Sequence, residues 1–305
     1  RVEPPIKEMM VIARHSSIAI FGKTKGRTTY RVTVPPSLKD VYGQTLGSTQ
    51  ERLFYLKEAS PSLNTRMRRF VTLDPSGDKA YVVQTVNHPK LRLKIHAVDP
   101  GDWPAYLRYA NRYGWPRDPP FPTLPGKELV NKLIDVREAA DEEVETRIPL
   151  KAHLNQAGHG LLVVEVMDPR MQQGERHTPH VSSFVQITDL AVDVFDEGTD
   201  LLAWVSRLKD GAAVSGAQVK LLSGYSGTTD GKGLAKIGLT AEGASIVVAT
   251  VKGDLAMLPD NADYYGRGAW RLRSEPGEGL RWFVFDDRKL YKPKEEVRLK
   301  GWVRL

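Results

Sequence analysis

The residues from Ala217 to Leu221 (Ala-Gln-Val-Lys-Leu) decide the fold class, because apolar and polar side chains alternate there with the two-residue period of a β-strand. The alanine, valine and leucine would face a core, while the glutamine and the lysine between them would face water. The same alternation recurs in residues 30–34 (Tyr-Arg-Val-Thr-Val) and 91–95 (Leu-Arg-Leu-Lys-Ile). The pattern therefore predicts half-buried strands in several parts of the chain.

Turn-forming residues separate these strands at short intervals. The sequence contains 26 Gly and 20 Pro, together with many short runs of Val, Ile and Leu. At Asp230-Gly231 we predict a turn in which the aspartate bonds its own backbone and the glycine takes a positive φ. Strands joined by frequent turns are typical of β-sandwiches. We therefore predict an all-β chain of tandem, immunoglobulin-like antiparallel sandwiches.

The length of 305 residues exceeds what a single hydrophobic core supports, so we expect several domains. The first residue is Arg1 rather than Met, and the run that ends at Leu305 has a strand pattern, so we expect a piece of a longer chain. We divide this piece into a partial immunoglobulin-like domain (residues 1–60), a sandwich with a helical insertion (61–177, insertion about 102–143), a further sandwich (178–279) and the first strands of another (280–305).

The insertion combines helix signals with prolines. Asp102 is a suitable N-cap, Pro104 falls in the first turn, and Gly114 is placed to end the helix. Five prolines make residues 116–125 an extended strap, and residues 129–143 have a pattern compatible with a second helix. We interpret the three consecutive acids that end this stretch, Asp-Glu-Glu at 141–143, as a solvated face.

The composition excludes several classes of protein. With no cysteine, the chain has no disulfide, thiolate nucleophile or cysteine-based zinc site. The net charge of +7 is compatible with nucleic-acid binding, but Lys and Arg are spread along the chain and alternate with apolar residues, as on the solvent face of strands. No apolar run approaches the roughly 20 residues that cross a bilayer. We expect neither a nucleic-acid partner nor a transmembrane segment in this piece.

The sequence lacks the motifs of common catalytic sites. No Gly-x-Ser-x-Gly elbow occurs, and Ser215-Gly216 has the character of a turn. Calcium loops and phosphate loops are missing as well. Adjacent acids such as Asp286 and Asp287 would point to opposite faces of a strand, so they do not converge on a substrate. We therefore expect no catalytic residue, no cofactor and no enzymatic activity.

Histidines and aromatic residues provide the remaining candidates for a site. His177 and His180, with His153 or His159, have a spacing found in some zinc sites, but Pro179 breaks any helix that would align them. We favour a solvated linker without a metal.

A second candidate is an aromatic cluster in the insertion, formed by Trp103, Tyr106, Tyr109, Tyr113 and Trp115. These rings could form a sugar-binding platform, or they could cap a sandwich end or a joint between domains. We favour the second interpretation and keep the first as the alternative.

Residues 287–301 (Asp-Arg-Lys-Leu-Tyr-Lys-Pro-Lys-Glu-Glu-Val-Arg-Leu-Lys-Gly) resemble the signature of the alpha-2-macroglobulin family. That signature consists of Asp-Arg, any residue, Leu or Ile, Tyr, Arg or Lys, Pro-Gly-Glu and then a strand ending in Lys-Gly. Lys294 stands where the family usually has Gly. We assign a structural role to the matching residues, which are Asp287, Arg288, Leu290, Tyr291, Pro293, Glu295, Val297, Lys300 and Gly301.

A second set of stretches resembles the macroglobulin-like domain that precedes this signature in bacterial members of the family. They are residues 185–190 (Val-Gln-Ile-Thr-Asp-Leu), 204–205 (Trp-Val), 214–219 (Val-Ser-Gly-Ala-Gln-Val) and 228–235 (Thr-Thr-Asp-Gly-Lys-Gly-Leu-Ala). Their order and spacing also match the family. The resemblance implies tandem macroglobulin-like β-sandwiches.

The resemblance also implies a function, that of the scaffold portion of a protease-trapping inhibitor. In this family a protease cleaves a bait segment and the array closes around it, and many members add a thioester on a Cys-Gly-Glu-Gln motif. Both devices lie further toward the family's C-terminus. The implied partners are other macroglobulin-like domains of the same longer chain and the trapped proteases, in the periplasm, with or without a lipid anchor, or outside the cell. The alternative is an accessory array that binds carbohydrate or acts as an adhesin.

Overall fold

The computed structural model consists mainly of β-strands, which confirms the predicted all-β class. It describes residues 1–14, 17–111, 122–137, 139–170, 180–196, 200–222, 224–238, 246–260, 281–286, 296–297 and 299–304. The chain divides into two compact units, Arg1–Ile187 and Thr188–Leu305. Among the described residues, no helix is long and apolar enough to cross a membrane.

The first unit contains strands and one regular α-helix among its described residues. In chain order the strands are β1 (Val2–Glu3), β2 (Lys7–Arg14), β3 (Ser17–Lys23), β4 (Thr28–Val34), β5 (Gln50–Leu56), β6 (Ser62–Asn64), β7 (Phe70–Leu73), β8 (Ala80–Val86), β9 (Lys90–Ala97), β10 (Lys127–Asp135), β11 (Val144–Pro149), β12 (Gly160–Met167) and β13 (His180–Ile187). Helix α1 (Trp103–Ala110) follows β9, and short 3-10 turns occupy Pro100–Asp102 and Lys151–His153.

The N-terminal segment (residues 1–60) has strands but little core. Strands β1, β4 and β5 form one sheet in the order β1-β4-β5, and β2 and β3 form a separate antiparallel hairpin. Tyr30 is the only buried hydrophobic residue among those described in this segment. Every residue of β2 is exposed, and so are Leu53, Phe54 and Tyr55 of β5. The strands of this segment therefore have an alternating pattern, but no second layer covers their apolar side chains.

The first sandwich (residues 61–187) has two layers that enclose a closed core. One sheet has the order β10-β9-β12-β13-β7, and the other has the order β11-β8-β6. The core takes apolar side chains from both sheets, among them Tyr81, Val83, Ile95, Leu162 and Val185. All the pairs are antiparallel except that β7 lies parallel to β13. Two sheets packed face to face in this way are a β-sandwich.

Strand β13 pairs with β12 and β7, so its hydrogen bonds lie within the first sandwich. The sequence division had put its residues in the following segment, which was to begin at residue 178. The four-part division of the chain as a whole stays a prediction.

The helical interpretation of residues 129–143 is wrong. Lys127–Asp135 forms β10, the edge strand paired with β9, with a bulge between Glu128 and Val130. Val130 and Ile134 pack against the core, whereas Leu129 and Leu133 are exposed. These four apolar residues have a spacing that a helix also satisfies, and pairing with β9 overrides that local preference.

The second unit contains a smaller sandwich and a hairpin. Its strands are β14 (Leu190–Asp196), β15 (Asp200–Arg207), β16 (Gln218–Leu221), β17 (Ser226–Thr228), β18 (Leu234–Gly238), β19 (Ile246–Val251), β20 (Asp254–Pro259), β21 (Arg281–Asp286) and β22 (Leu299–Arg304). The sheets β14-β15-β18 and β17-β16-β19-β20 enclose a core of their own. Strands β21 and β22 form an antiparallel hairpin.

The strand that decided the fold class behaves as predicted. In β16, Val219 and Leu221 are buried and Gln218 and Lys220 are exposed. The predicted turn is also present, since Asp230 Oδ1 accepts hydrogen bonds from the backbone N–H groups of residues 232 and 234, at 2.8 and 3.0 Å. The positive φ, however, belongs to Gly233, at +79°, and not to the glycine at 231. A Cβ at position 233 would lie 2.5 Å from the carbonyl oxygen of residue 205, so only glycine fits there.

Candidate functional site

A set of polar contacts centred on Asp141 joins the N-terminal segment to the first sandwich. Asp141 Oδ1 accepts hydrogen bonds from the backbone N–H of Ala59 and from Asn87 Nδ2, both at 2.8 Å. Its other carboxylate oxygen lies 3.2 Å from Arg27 Nη1. The two hydrogen bonds and, to a smaller extent, the arginine lower the pKa of the Asp141 carboxyl. We call these four residues, Arg27, Ala59, Asn87 and Asp141, the joint.

Asn87 completes the joint by bonding to both of its neighbours. Its Nδ2 also donates to the carbonyl oxygen of Ala59 at 2.7 Å, and its Oδ1 accepts from the backbone N–H of Asp141 at 2.9 Å. Arg27, Asn87 and Asp141 all have left-handed backbones, with φ of 52°, 53° and 62°. Asn and Asp tolerate this conformation better than most residues, which explains their presence at two of these turns. The carbonyl group of Ala59 and the backbone N–H groups of Ala59 and Asp141 thereby all have hydrogen-bond partners.

The interpretation of residues 141–143 as a solvated face is wrong for Asp141. Its side chain is only 9% exposed, whereas Glu142 and Glu143 do lie in water. This role of Asp141 is hard to predict from sequence, because a run of three acids is normally solvated. The one signal was the residue type, since Asp or Asn in a turn between strands can both take a left-handed backbone and bond nearby amides.

Directly beside the joint, His88 contacts Asp168, a buried carboxylate that pairs with the exposed side chain of Arg170. Asp168 accepts hydrogen bonds from Arg170 Nε at 3.0 Å and Nη2 at 2.6 Å, and His88 Nδ1 lies 3.5 Å from Asp168 Oδ2. The hydrogen bonds of Arg170 lower the pKa of Asp168, so the carboxylate is ionised at neutral pH. Burial lowers the pKa of His88 and outweighs the opposing effect of Asp168. His88 is therefore a neutral, buried side chain at neutral pH.

A cleft of about 650 Å³ lies between the N-terminal segment and the loops of the first sandwich. The residues that line it come from the start of β4, the link between β5 and β6, the end of β8 and the loop before β11. They are Arg27, Glu58, Ala59, Pro61, Thr85, Asn87, His88, Pro89, Val136, Arg137, Ala139, Ala140 and Val144. The joint thus forms part of the cleft, and sequence reasoning identified none of these residues as a site.

Trp103, Tyr106 and Tyr109 are buried, which contradicts the interpretation of these three residues as part of a sugar platform. Trp103 is 1% exposed and makes edge contacts with Phe70 and Phe184 at centroid distances of 5.5 and 5.4 Å. Helix α1 places these rings over the outer face of the larger sheet, whereas we had favoured a sandwich end or a joint between domains. The first sandwich therefore has a third layer here. Tyr113, Gly114 and Trp115 lie outside the described residues.

A buried carboxyl group fastens α1 to this outer face. Glu165 of β12 is fully buried, and its Oε1 accepts a hydrogen bond from the hydroxyl of Tyr109 at 2.6 Å. Lys94 of β9 places its ammonium group 3.6 Å from the other carboxylate oxygen. Buried charges persist in proteins when they are paired and hydrogen-bonded, as here. The arrangement positions a helix on a sheet and leaves the carboxyl group away from solvent.

The histidines considered as metal ligands are only partly described. His177 lies outside the described residues, so the solvated-linker interpretation stays a prediction. His153 closes the 3-10 turn Lys151–His153, and the backbone N–H of His159 donates to Asn155 Oδ1 at 3.0 Å. His180 begins β13.

Most of the signature also lies outside the described residues, namely Asp287, Arg288, Leu290, Tyr291, Pro293 and Glu295. Val297 is exposed, and Lys300 and Gly301 lie in β22 opposite Phe285 and Val284 of β21. The structural role assigned to the signature therefore stays a prediction.

The architecture defines the chain as an array of macroglobulin-like β-sandwich domains. A crystal structure of native Escherichia coli alpha-2-macroglobulin spanning domains MG0, NIE and MG1 gives a TM-score of 0.53 at 16% identity, covering 81% of this chain and 80% of that one. The cryo-EM reconstruction of the native conformation of E. coli alpha-2-macroglobulin gives 0.51 at 17% identity, covering 98% of this chain and 19% of that one. These likenesses confirm the fold.

In sequence the chain is similar to alpha-2-macroglobulin of Escherichia coli strain K12. The two are 23% identical over 285 residues, which is 90% of this chain and 17% of that protein. The resemblance to bacterial alpha-2-macroglobulins is confirmed by these findings, although the chain spans only that small share of its relative. No family model matches the sequence.

Proposed function

We propose that this chain is the scaffold portion of a bacterial protein that traps proteases. The observation that carries the proposal is the similarity to Escherichia coli alpha-2-macroglobulin along 90% of the chain. The fold supports it independently, because sandwiches in series match solved structures of the same protein. A trap of this kind needs modules that keep their shape while another part of the molecule changes.

The contacts within the first unit suit a scaffold. The joint ties the N-terminal segment to the first sandwich through backbone as well as side-chain groups, at distances of 2.7–2.9 Å. Helix α1 adds a third layer through aromatic packing and the Tyr109–Glu165 hydrogen bond. Both features restrict movement of one element against another, since each would have to break several contacts at once.

In this proposal the chain contributes shape and not catalysis. Ionisable groups that the fold brings together, such as Arg27 with Asp141 and Arg170 with Asp168, are satisfied by partners within the fold. We also propose a periplasmic or extracellular location, and further macroglobulin-like domains of a longer chain and proteases as partners, because these accompany the resemblance.

A comparison of large and small substrates tests the trap. Trypsin would be incubated with a longer polypeptide that contains this chain and the remaining domains, and with this chain alone. We expect the longer polypeptide to slow cleavage of casein while hydrolysis of a small chromogenic peptide continues, because a trapped protease keeps its active site. We expect this chain alone to protect neither substrate. Loss of small-peptide hydrolysis in the presence of this chain alone would instead indicate a direct active-site inhibitor.

A further inference from the structure

We propose that the loop between β4 and β5 binds the surface of a lipid bilayer that contains anionic phospholipids. Residues 38–46 of this loop form the tip loop. Val41 and Tyr42 stand at its end and are 92% and 85% exposed, more than any other large apolar side chain that the structure describes. The inference goes beyond the scaffold function and does not depend on it, because it rests on one loop and on the charge of the N-terminal segment.

Hydrogen bonds within the tip loop fix its backbone. Asp40 Oδ1 accepts hydrogen bonds from the backbone N–H groups of Tyr42 and Gln44, both at 2.9 Å. The backbone N–H of Leu46 donates to the carbonyl oxygen of Leu38 at 2.9 Å, and both of these leucines are also exposed. A loop that is ordered before binding loses less conformational entropy when it binds. An ordered loop that presents apolar side chains to water is therefore suited to insertion into an apolar partner.

The charge of the N-terminal segment favours an anionic partner. Residues 1–60 contain ten Lys and Arg and five Asp and Glu, which gives a net charge of +5, while the whole chain has +7. Three of the five acids already pair with cations of the same segment, in the pairs Arg1–Glu3, Lys23–Glu8 and Arg31–Glu51. The exposed cations of the segment that make no ion pair with a described residue are Lys7, Arg14, Lys25, Lys39, Arg52 and Lys57.

An apolar tip combined with dispersed cations favours a bilayer over a protein partner. Lys39 lies in the tip loop itself, and the other unpaired cations are spread over β2, β5 and the connections beside them. A layer of lipid phosphates attracts Lys and Arg at many positions, whereas a protein would need a pocket for the tip and an acid for each cation. The ring of Tyr42 is apolar and its hydroxyl is polar, which suits the boundary between acyl chains and headgroups. We therefore expect Val41 and Tyr42 to enter the headgroup region while Lys39 contacts phosphate.

Binding of the full chain to vesicles tests this proposal. The chain, produced without any lipid attachment, would be sedimented with vesicles of phosphatidylcholine and phosphatidylglycerol in equal parts, and with vesicles of phosphatidylcholine alone. Each measurement would be made at about 0.1 M and at about 0.5 M salt, because salt screens the attraction between exposed charges.

Two sets of variants separate the apolar tip from its charge. The double variant Val41→Ser with Tyr42→Ser removes the apolar side chains, and Lys39→Gln removes the cation beside them. The matched controls change exposed residues of the second unit and are Leu222→Ser with Tyr225→Ser, and Lys209→Gln. Circular dichroism would confirm that each variant is folded.

A fluorescent label reports whether the tip itself enters the bilayer. Because the sequence contains no cysteine, Val41→Cys can be labelled at that position alone with a nitrobenzoxadiazole dye, whose emission shifts to the blue in apolar surroundings. Lys209→Cys, labelled in the same way, is the control. We expect anionic vesicles to shift the emission of the label at position 41 and to leave that at position 209 unchanged.

We expect the wild-type chain to bind the anionic vesicles, to bind phosphatidylcholine alone at least about tenfold more weakly, and to lose affinity at the higher salt. The double tip variant should bind roughly tenfold more weakly and Lys39→Gln about fivefold more weakly, while the controls bind as the wild type does. The proposal is overturned if anionic vesicles are not bound at millimolar lipid, if the double tip variant binds as the wild type does, or if the label at position 41 does not respond. Sedimentation equilibrium that shows a dimer of the wild type, lost in the double tip variant, would assign the tip to a second copy of the chain and overturn the proposal as well.

Discussion

The N-terminal segment and the first sandwich have the same kind of sequence pattern and opposite burial. Both contain strands of alternating or clustered apolar residues, and both contribute to one compact unit. In the first sandwich those residues meet across two sheets, and Leu162 is 1% exposed. In the N-terminal segment they remain on the surface, and Leu53 is 61% exposed. Alternation therefore predicts a strand, while burial depends on whether another layer covers it.

The most direct test of this difference makes the same substitution in both regions. Leu162→Ala should lower the free energy of unfolding of the first sandwich by about 2–5 kcal/mol, because it removes buried methyl groups and leaves a cavity. Leu53→Ala should change it by no more than about 0.5 kcal/mol, since its side chain is already in water. Native-state hydrogen exchange at the amides of β12 measures both. Equal losses in the two variants would mean that the N-terminal segment has a packed core after all.

A smaller effect is expected when only one hydroxyl group is removed. Tyr109→Phe deletes the hydrogen bond to the buried carboxyl of Glu165, and should lower the same free energy by about 1–3 kcal/mol. Tyr55→Phe in the N-terminal segment is the matched control, because that tyrosine is 61% exposed, and it should have no measurable effect. If the two tyrosine variants cannot be distinguished, α1 is not fastened to the sheet by this bond.

The smallest and most local effect is expected at the joint, which connects the two regions. Asp141→Ala removes the acceptor of the Ala59 amide, so exchange at that amide should accelerate by roughly tenfold while exchange at β12 is unchanged. Glu142→Ala, an exposed acid next to it, is the control and should leave both rates as they are.

The same bond should depend on pH in a defined direction. The pKa of Asp141 in the folded protein lies below its ordinary value of 3.8. The stabilisation that the ionised carboxylate provides is therefore complete above pH 3.8, and it is lost as the pH falls through the folded pKa. The protection factor of the Ala59 amide should decrease over that range. Asp141→Asn keeps an acceptor but cannot be protonated there, so its protection should be independent of pH. A pH dependence that persists in this variant would exclude Asp141 as its source.

Much of the fold could be predicted from local pattern, and the failures have physical causes. The strand at residues 217–221 alternates cleanly, and its inward-facing Val219 and Leu221 lie opposite Ala249 and Val247 of β19, which belong to the same core. The apolar residues of β10 satisfied helical and strand spacing alike, and pairing with β9 decided between the two. That decision depends on residues distant in sequence, which a local pattern does not contain.

The candidate site was less predictable than the fold for a related reason. Asp141, Asn87 and His88 act through partners that lie far away in sequence, such as Ala59, 82 residues before Asp141. The third layer left a clearer signal. Residues 161–167 (Leu-Leu-Val-Val-Glu-Val-Met) are apolar on both faces except for the glutamate, which is typical of a strand covered on both sides.

The parallel pairing of β7 with β13 has a consequence for the order in which the protein is made. Gln186 and Thr72 are 114 residues apart and yet hydrogen-bonded, and among the described strands only β13 lies next to β7 in its sheet. During synthesis β7 therefore has no strand to pair with until the ribosome has translated the chain as far as Ile187. A fragment that ends at residue 177 would lack β13, so β7 would have no strand to pair with and β12 would become an unpaired edge of the sheet.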